Sequence, residues 1–343
     1  MEVVTPSPEA IVAFARGITG GQGTELKLLA GQASTRRYHR VRTNGSPLTC
    51  IVMELPQEDR SSAESTYPFL NVQRFLGRGG YPVPKVLKVA LSAGMIGLDD
   101  LGDQTLELAL VANGHSDASV CDLYGKAIRL IGSLQQLGKT PDDTCLAFSR
   151  RFDFKLLRWE LDHFREWLLI EDRGAALTAA ESAVIETSFD QIAQELAAQP
   201  PVLVHRDFQS RNLMVVPGTS STELRVLDFQ DALLGPRIYD IVALLRDSYV
   251  ELSSSQIAEL IQSFCEQSGS SYDTTRRLFM IQTAQRKLKD AGRFVFIDRK
   301  RGNPGFLPCI PLSLKYVAEA LAELPEFSDL WTVLSRHLPE LRI

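Results

Sequence analysis

Apolar residues recur at helical spacing between Pro8 and Ile18, behind Ser7, a residue type that caps first turns. The pattern then switches to short β-like runs over Glu25 to Leu29, Arg37 to Arg42 and Thr49 to Leu55. The last two flank Asn44-Gly45, a strong hairpin signal, so an antiparallel meander is expected. A helix is expected over Ala63 to Leu76, closed by Gly77, Gly79 and Gly80, followed by strands over Val83 to Ala90 and Met95 to Leu98. The first third therefore reads as a five-stranded sheet with one inserted helix.

Beyond the acidic stretch from Asp99 to Asp103 the period lengthens. Cys121 to Leu137, Phe152 to Leu169 and Ala179 to Ala198 carry the 3.6-residue repeat of amphipathic helices. Short apolar strands are expected only at Val202 to Val204, Leu213 to Val216 and Leu224 to Leu227, with helices again from Ile238. The expected fold is α+β and two-lobed. A small antiparallel-sheet lobe (1–102) would bind nucleotide, and a larger helical lobe (103–343) would carry the catalytic loop and acceptor site, with a cleft between them.

Composition narrows the function classes. Of 343 residues, 44% are hydrophobic and 23% charged, which suits packed lobes rather than disorder. With 37 Lys+Arg against 42 Asp+Glu the net charge is -5, so no overall positive field draws the chain to nucleic acid or an anionic membrane. Five scattered cysteines without a C-x-x-C pair suggest neither disulfides nor a zinc site. No apolar stretch approaches the roughly 20 residues of a membrane span, and the N-terminus has no basic, apolar leader. A cytoplasmic monomer is expected.

The chemistry concentrates between the late strands, in His205-Arg206-Asp207 with Asn212, and then in Asp228-Phe229-Gln230-Asp231. Phosphoryl transfer needs a nucleophile held in line and a cation bridging phosphate oxygens, and magnesium prefers hard oxygen ligands. Asp207 supplies a proton acceptor, and Asn212 and Asp228 supply the ligands. The order H-x-D-x-x-x-x-N followed by D-F is the catalytic-loop and metal-loop signature of protein kinases and their small-molecule relatives. A lone Asp beside a turn is more often an Asx-turn or cap, and it is the three together that lift the reading above that. His205 reads as a brace of the loop, Arg206 as a partner for a carboxylate such as Asp240, and Gln230 and Asp231 as supporting groups, substrate binders or an extra metal ligand.

On these motifs the chain resembles the aminoglycoside phosphotransferase and choline kinase-like family, from about Leu26 to Arg336. HRDFQSRNLMV is similar to the family's catalytic loop and LDFQD to its metal loop, which implies Asp207 as catalytic aspartate and Asn212 and Asp228 as metal ligands. GPRIYDIVALLRD resembles the segment in which an aspartate, here Asp240, braces the catalytic loop. TCIVMELP, LDFQDALLGPRIYDIVALLRD and QRKLKDAGRFVFIDRKRGNPGFLPCIP look most like bacterial cell-wall kinases acting on N-acetylmuramate and N-acetylglucosamine at the anomeric hydroxyl. The resemblance implies ATP and Mg2+ as cofactors and an amino sugar as the small-molecule partner.

One departure stands out. The third strand of a kinase usually carries a lysine for the α- and β-phosphates, whereas TCIVMELP has Met53 and Glu54. Arg36, Arg37 and Arg40, flanking the turn expected over Ala30 to Thr35, are the candidate substitutes, since arginine binds phosphate bidentately. Adenine is expected beside Gly97 to Leu101, between Val52 and Leu98. Acceptor contacts are expected from Arg211, Asp231, Arg246, Asp247 and Arg286. A basic run (Arg286, Lys287, Lys289, Arg293, Arg299, Lys300, Arg301) reads either as a solvated face or as a receiver for the lactyl carboxylate of a muramic acid. The competing functions are an antibiotic or small-alcohol kinase of the same fold, and a non-catalytic nucleotide-binding scaffold.

Overall fold

A computed structural model describes residues 6–29, 36–44, 48–114, 116–219 and 221–342. Helix α1 (Pro8–Thr19) starts where Ser7 Oγ accepts the Ala10 amide and ends at Gly20, whose left-handed φ of 71° suits glycine. Strands β1 (Gln22–Leu28), β2 (Arg37–Asn44), β3 (Thr49–Glu54), β4 (Val86–Ala90) and β5 (Met95–Asp99) follow, with helix α2 (Pro68–Arg78) inserted after β3. They form one antiparallel sheet in the order β1-β2-β3-β5-β4. The sequence-based helix over Ala63 to Leu76 begins later than expected: Ala63 to Tyr67 is a hydrogen-bonded turn, and the helix starts at Pro68, whose fixed φ suits a first turn. The expected hairpin residue Gly45 and the turn Ala30 to Thr35, Gly31 included, lie outside the described residues.

Strand alternation divides this sheet into two faces. One packs on α1, where Ile11, Phe14 and Ala15 meet Val41, Cys50, Val52 and Met95. Gly97, opposite Val52, completes that face, because a β-carbon there would collide with Ile18 and meet Phe14. The other face carries Tyr38 beside Met53, Arg40 beside Ile51, and Leu98 across from Ile51.

The rest of the chain comprises α3 (Leu106–Ala112), α4 (Asp117–Leu137), the short α5 (Leu146–Ser149), α6 (Phe154–Phe164), α7 (Ala179–Ala197), β6 (Pro201–Val204), β7 (Leu213–Pro217), β8 (Thr222–Val226), β9 (Leu233–Pro236), α8 (Tyr239–Leu245), α9 (Ser254–Ser268), α10 (Tyr272–Arg301), α11 (Ile310–Ala322) and α12 (Ser328–His337). The helix expected over Phe152 to Leu169 is α6 followed by a π-helical stretch, Arg165–Asp172. Capping boxes start α7 (Thr178 with Glu181) and α9 (Ser253 with Gln256). Compactness divides the chain into Met1–Gln104 with Thr144–Leu146 and Met214–Gln230, and Thr105–Asp143 with Ala147–Leu213 and Asp231–Ile343. In the first unit, Val215 donates to Gln104 O and Val226 to Pro82 O, which ties in the β7–β8 pair. In the second, α10 is buried over most of its stretch from Phe279 to Ile297, and Gly292 lets it approach α6 so closely that a β-carbon would lie 2.5 Å from Phe164 Cα. No described helix is long and apolar enough to cross a membrane.

Candidate active site

In the second unit, β6 delivers the chain into the loop His205 to Asn212. Asp240, at the start of α8, is fully buried, and its carboxylate accepts the His205 amide at 2.7 Å and the Arg206 amide at 3.0 Å. Those bonds hold Arg206 at φ 81°. Such a conformation costs a non-glycine residue about 1–3 kcal/mol and persists only where the surroundings impose it. Asp247, beyond the end of α8, is also fully buried and accepts the Ser210 amide at 2.8 Å. One helix thus fixes the loop at two points with two carboxylates. Burial pushes both carboxyls above the ordinary range, against the opposing pull of His205 and the loop amides on Asp240 and of Ser210 on Asp247.

Between these anchors lies Asp207, whose side chain keeps 37% of its exposure and so is open to a ligand. Its carbonyl oxygen accepts both Gln209 N (2.9 Å) and Asn212 Nδ2 (2.8 Å). The second bond commits the amide end of Asn212 and leaves Oδ1 as its ligand-capable atom. Arg286 of α10 is buried, donates to Arg206 O at 2.8 Å and stands 3.5 Å from Asp207 Oδ1. Burial alone would raise the Asp207 carboxyl, but Arg286, Lys289, Arg206 and His205 outweigh it and hold the group below its ordinary value. Asp207 is therefore a carboxylate at neutral pH, able to accept a hydroxyl proton.

The metal-loop motif sits in the first unit. Asp228 follows β8 at φ 61°, and Arg206 and Asp228 are the only non-glycine residues with positive φ among those described. Gln230 Nε2 donates to Asp228 Oδ1 at 2.7 Å. The next residue, Phe229, is fully buried, its ring 5.0 Å from that of Phe69 in α2. Tyr38, on the β2 face away from α1, has its phenol raised first by burial and further by the nearby Asp228 charge, with Arg36 opposing. No cluster of three His, Cys, Asp or Glu side chains suited to a metal occurs among the described residues. Asp228 and Asn212 belong to different units, and each offers a hard oxygen of the kind magnesium prefers.

Other expected site residues have different partners in the structure. Val52 is fully buried in the α1-facing core, one residue out of phase with the Ile51 and Met53 face, so it cannot flank adenine from there; Leu98 lies on the Ile51 face. Arg40 donates to both Asp103 oxygens (2.7 and 2.8 Å), to Asp100 (2.9 Å) and to Gly102 O (2.9 Å), fastening β2 to the acidic connector rather than standing ready for phosphate. Arg36 stacks 5.8 Å over Tyr67, and the exposed Arg37 lies 3.9 Å from Glu54. Glu54, in the segment that lacks the lysine, is buried against His39 at 2.9 Å.

Of the expected acceptor contacts, Arg246 is buried against Glu319 (2.6 Å) and Tyr316, and Asp247 and Arg286 are consumed as loop braces. Arg211 grips Glu107 of α3 with two bonds, 2.7 and 3.0 Å, and stacks 3.6 Å over Tyr249. Asp231 alone of the five has a half-exposed side chain without a close ion pair, Arg150 being 3.7 Å away. Arg206 meets Asp240 only through its amide; its guanidinium lies 3.6 Å from buried Glu160 and over Phe152. His205 is buried edge-on to Phe208.

Glu160 was not singled out from the sequence. It accepts Gln285 Nε2 at 2.9 Å and so links α10, α6 and Arg206. The available signal was a charge placed on the apolar stripe of α6, between Leu157 and Leu161.

Comparison with known proteins agrees with this geometry. A model of the phosphotransferase enzyme family matches residues 25–278. The N-acetylmuramate/N-acetylglucosamine kinase of Neisseria meningitidis serogroup B is 31% identical over 90% of each chain. That of Pseudomonas aeruginosa is 30% identical over 91% of this chain and 88% of its own. Among solved structures, choline kinase LicA from Streptococcus pneumoniae superposes with a TM-score of 0.58 at 12% identity, covering 88% of this chain and 93% of its own. The ADP-bound aminoglycoside phosphotransferase APH(2'')-Ib gives 0.57 at 19%, covering 87% and 92%. At such identities these two share the fold. With most of the chain matched and a relative above 30% identity, the protein belongs to the phosphotransferase enzyme family.

Proposed function

We propose that this chain is an ATP-dependent, magnesium-requiring kinase of acetylated amino sugars, acting as a cytoplasmic monomer in cell-wall recycling. It transfers the γ-phosphoryl group to the anomeric hydroxyl of N-acetylmuramate or N-acetylglucosamine. The observation that carries the reading is the agreement among relatives matched over most of their length: the proteins of Neisseria and Pseudomonas are named N-acetylmuramate/N-acetylglucosamine kinases.

Asp207, ionised and partly open, accepts the hydrogen bond of the attacking hydroxyl and orients it in line. Asn212, through Oδ1, and Asp228 are the proposed magnesium ligands, and magnesium held there would neutralise charge developing on the transferred phosphoryl group. Asp240, Asp247 and Arg286 keep the loop in its strained shape before substrate arrives, so that binding does not have to order it.

Aminoglycosides are the second reading the fold allows. Arg206, Arg286 and Lys289 stand around Asp207 within its unit, but Glu160 and Asp290 pair with the same cations, so the choice between amino sugar and polycation rests on the relatives. The test is nucleotide consumption with a panel of N-acetylmuramate, N-acetylglucosamine, kanamycin and choline. Turnover with the two acetylated sugars supports the reading, and turnover confined to kanamycin or choline overturns it.

A further inference from the structure

Helix α10 presents Arg286, Lys289 and Arg293 at spacings of three, four and seven residues, hence on one face. The first two are committed. Arg286 bonds Arg206 O and neighbours Asp207, and Lys289 pairs with Asp290 at 2.9 Å. Arg293 differs: it is half-buried and makes no hydrogen bond or ion pair among the described residues, touching only the Phe296 ring, 4.7 Å from its centroid. A half-buried guanidinium with no anion keeps its donors free for one. The carboxylates near enough to act on it, Asp207 and Glu160, are already bound by Arg286 and by Gln285 with Arg206, while Arg206 and Arg301 crowd it with like charge.

Two turns separate Arg293 from Arg286, about 10 Å along the axis. That is the span of one pyranose ring bearing a short acidic arm when its reacting hydroxyl faces Asp207. Beside Arg293 the rings of Phe296, His163 and Trp159 run outward, His163 5.1 Å from Phe296 and 5.3 Å from Trp159. Trp159, at the far end of that row, is 53% exposed.

We propose that Arg293 is the carboxylate-binding residue of the acceptor site, pairing with the lactyl carboxylate of N-acetylmuramate while Asp207 faces the anomeric hydroxyl. The inference rests on the amino-sugar reading and deepens it, because N-acetylglucosamine lacks that carboxylate and gains nothing from the arginine. Arg293 is then what separates the two acceptors.

The experiment is steady-state kinetics of wild type, Arg293→Gln and Arg293→Lys with both sugars. Loss of a charge-assisted bond predicts that Arg293→Gln raises the ratio of the N-acetylmuramate KM to the N-acetylglucosamine KM about 10- to 100-fold, with the kcat ratio little moved. Arg293→Lys, which keeps the charge but loses the fork, should raise it less. If thermal melting shows Arg293→Gln unfolded, Arg293→Lys carries the test through the same ratio. An unchanged ratio in the folded variant overturns the inference alone, whether both sugars suffer or neither does. Wild type inactive on both sugars overturns the amino-sugar reading and the inference with it.

Discussion

At the scale of single residues, groups proposed to meet substrate are distinct from the groups that hold them in place. Asp207→Asn keeps the shape and the Asn212 bond to the backbone carbonyl but removes the proton acceptor, so kcat should fall about 10²–10⁴-fold while nucleotide affinity is kept. Stopped assays and nucleotide titration check both. Asp228→Ala is expected to be at least as damaging, because it removes a proposed metal ligand. Arg286→Met should lower kcat as well, but through position: it frees Arg206 O and leaves Asp207 without its nearest cation. Removing one partner from a buried charged cluster also costs about 3–5 kcal/mol, so denaturant melts should show that loss for Arg286→Met. Because Asp207 lies below its ordinary carboxylate value, its ionisation contributes no acid limb to kcat between pH 5 and 8.

At the scale of elements, α8 and α10 do the positioning. Asp240→Ala would strand two buried loop amides at roughly 1–3 kcal/mol each and relax the Arg206 conformation. The expected signature is a loss of kcat together with faster hydrogen exchange at residues 205 to 212. Gly292→Ala should destabilise the second unit, since its β-carbon meets helix backbone that cannot move aside cheaply; a thermal melt equal to wild type would contradict the close packing. These elements also show what the sequence made legible. The trio Asp207, Asn212 and Asp228 stands out in the sequence because its order and spacing match a catalytic-loop and metal-loop motif. The five strands were readable because alternation marks them, but not their phase: Val52 and Met53 are both apolar, and only α1 packing on one face decides which of them looks away from it. Arg246, Asp247 and Arg286 read as ligand contacts because a charge near a catalytic motif suggests solvent. Their partners, Glu319, Ser210 and Arg206 O, lie 73, 37 and 80 residues away, and no local pattern encodes such pairings.

At the scale of the whole molecule, pH and metal act differently. His163 is buried among aromatic rings, and burial, then Arg293 and Lys289, lower it from 6.5 to about 4. Its folded pKa is depressed, so the unfolded chain takes up the proton first. Stability is unaffected above pH 6.5 and falls as pH drops from there towards 4, by roughly 3 kcal/mol for a shift of that size. His163→Phe should lose this part of the acid sensitivity in denaturant titrations at pH 7 and pH 4.5. Chelation should act on turnover and not on folding, because the described residues hold no carboxylate, histidine or cysteine cluster of a structural metal. EDTA is expected to abolish activity while leaving the melting temperature of the nucleotide-free protein within a degree or so.

Phosphorus NMR of purified protein with ATP, magnesium and N-acetylmuramate or N-acetylglucosamine, run on wild type and Asp207→Asn in parallel, reads the proposed reaction at its product. Anomeric transfer that depends on Asp207 gives a new sugar phosphate signal coupled to the anomeric proton in wild type, and none in the variant over the same time. A product phosphorylated elsewhere on the sugar, or a variant that matches wild type, would contradict it.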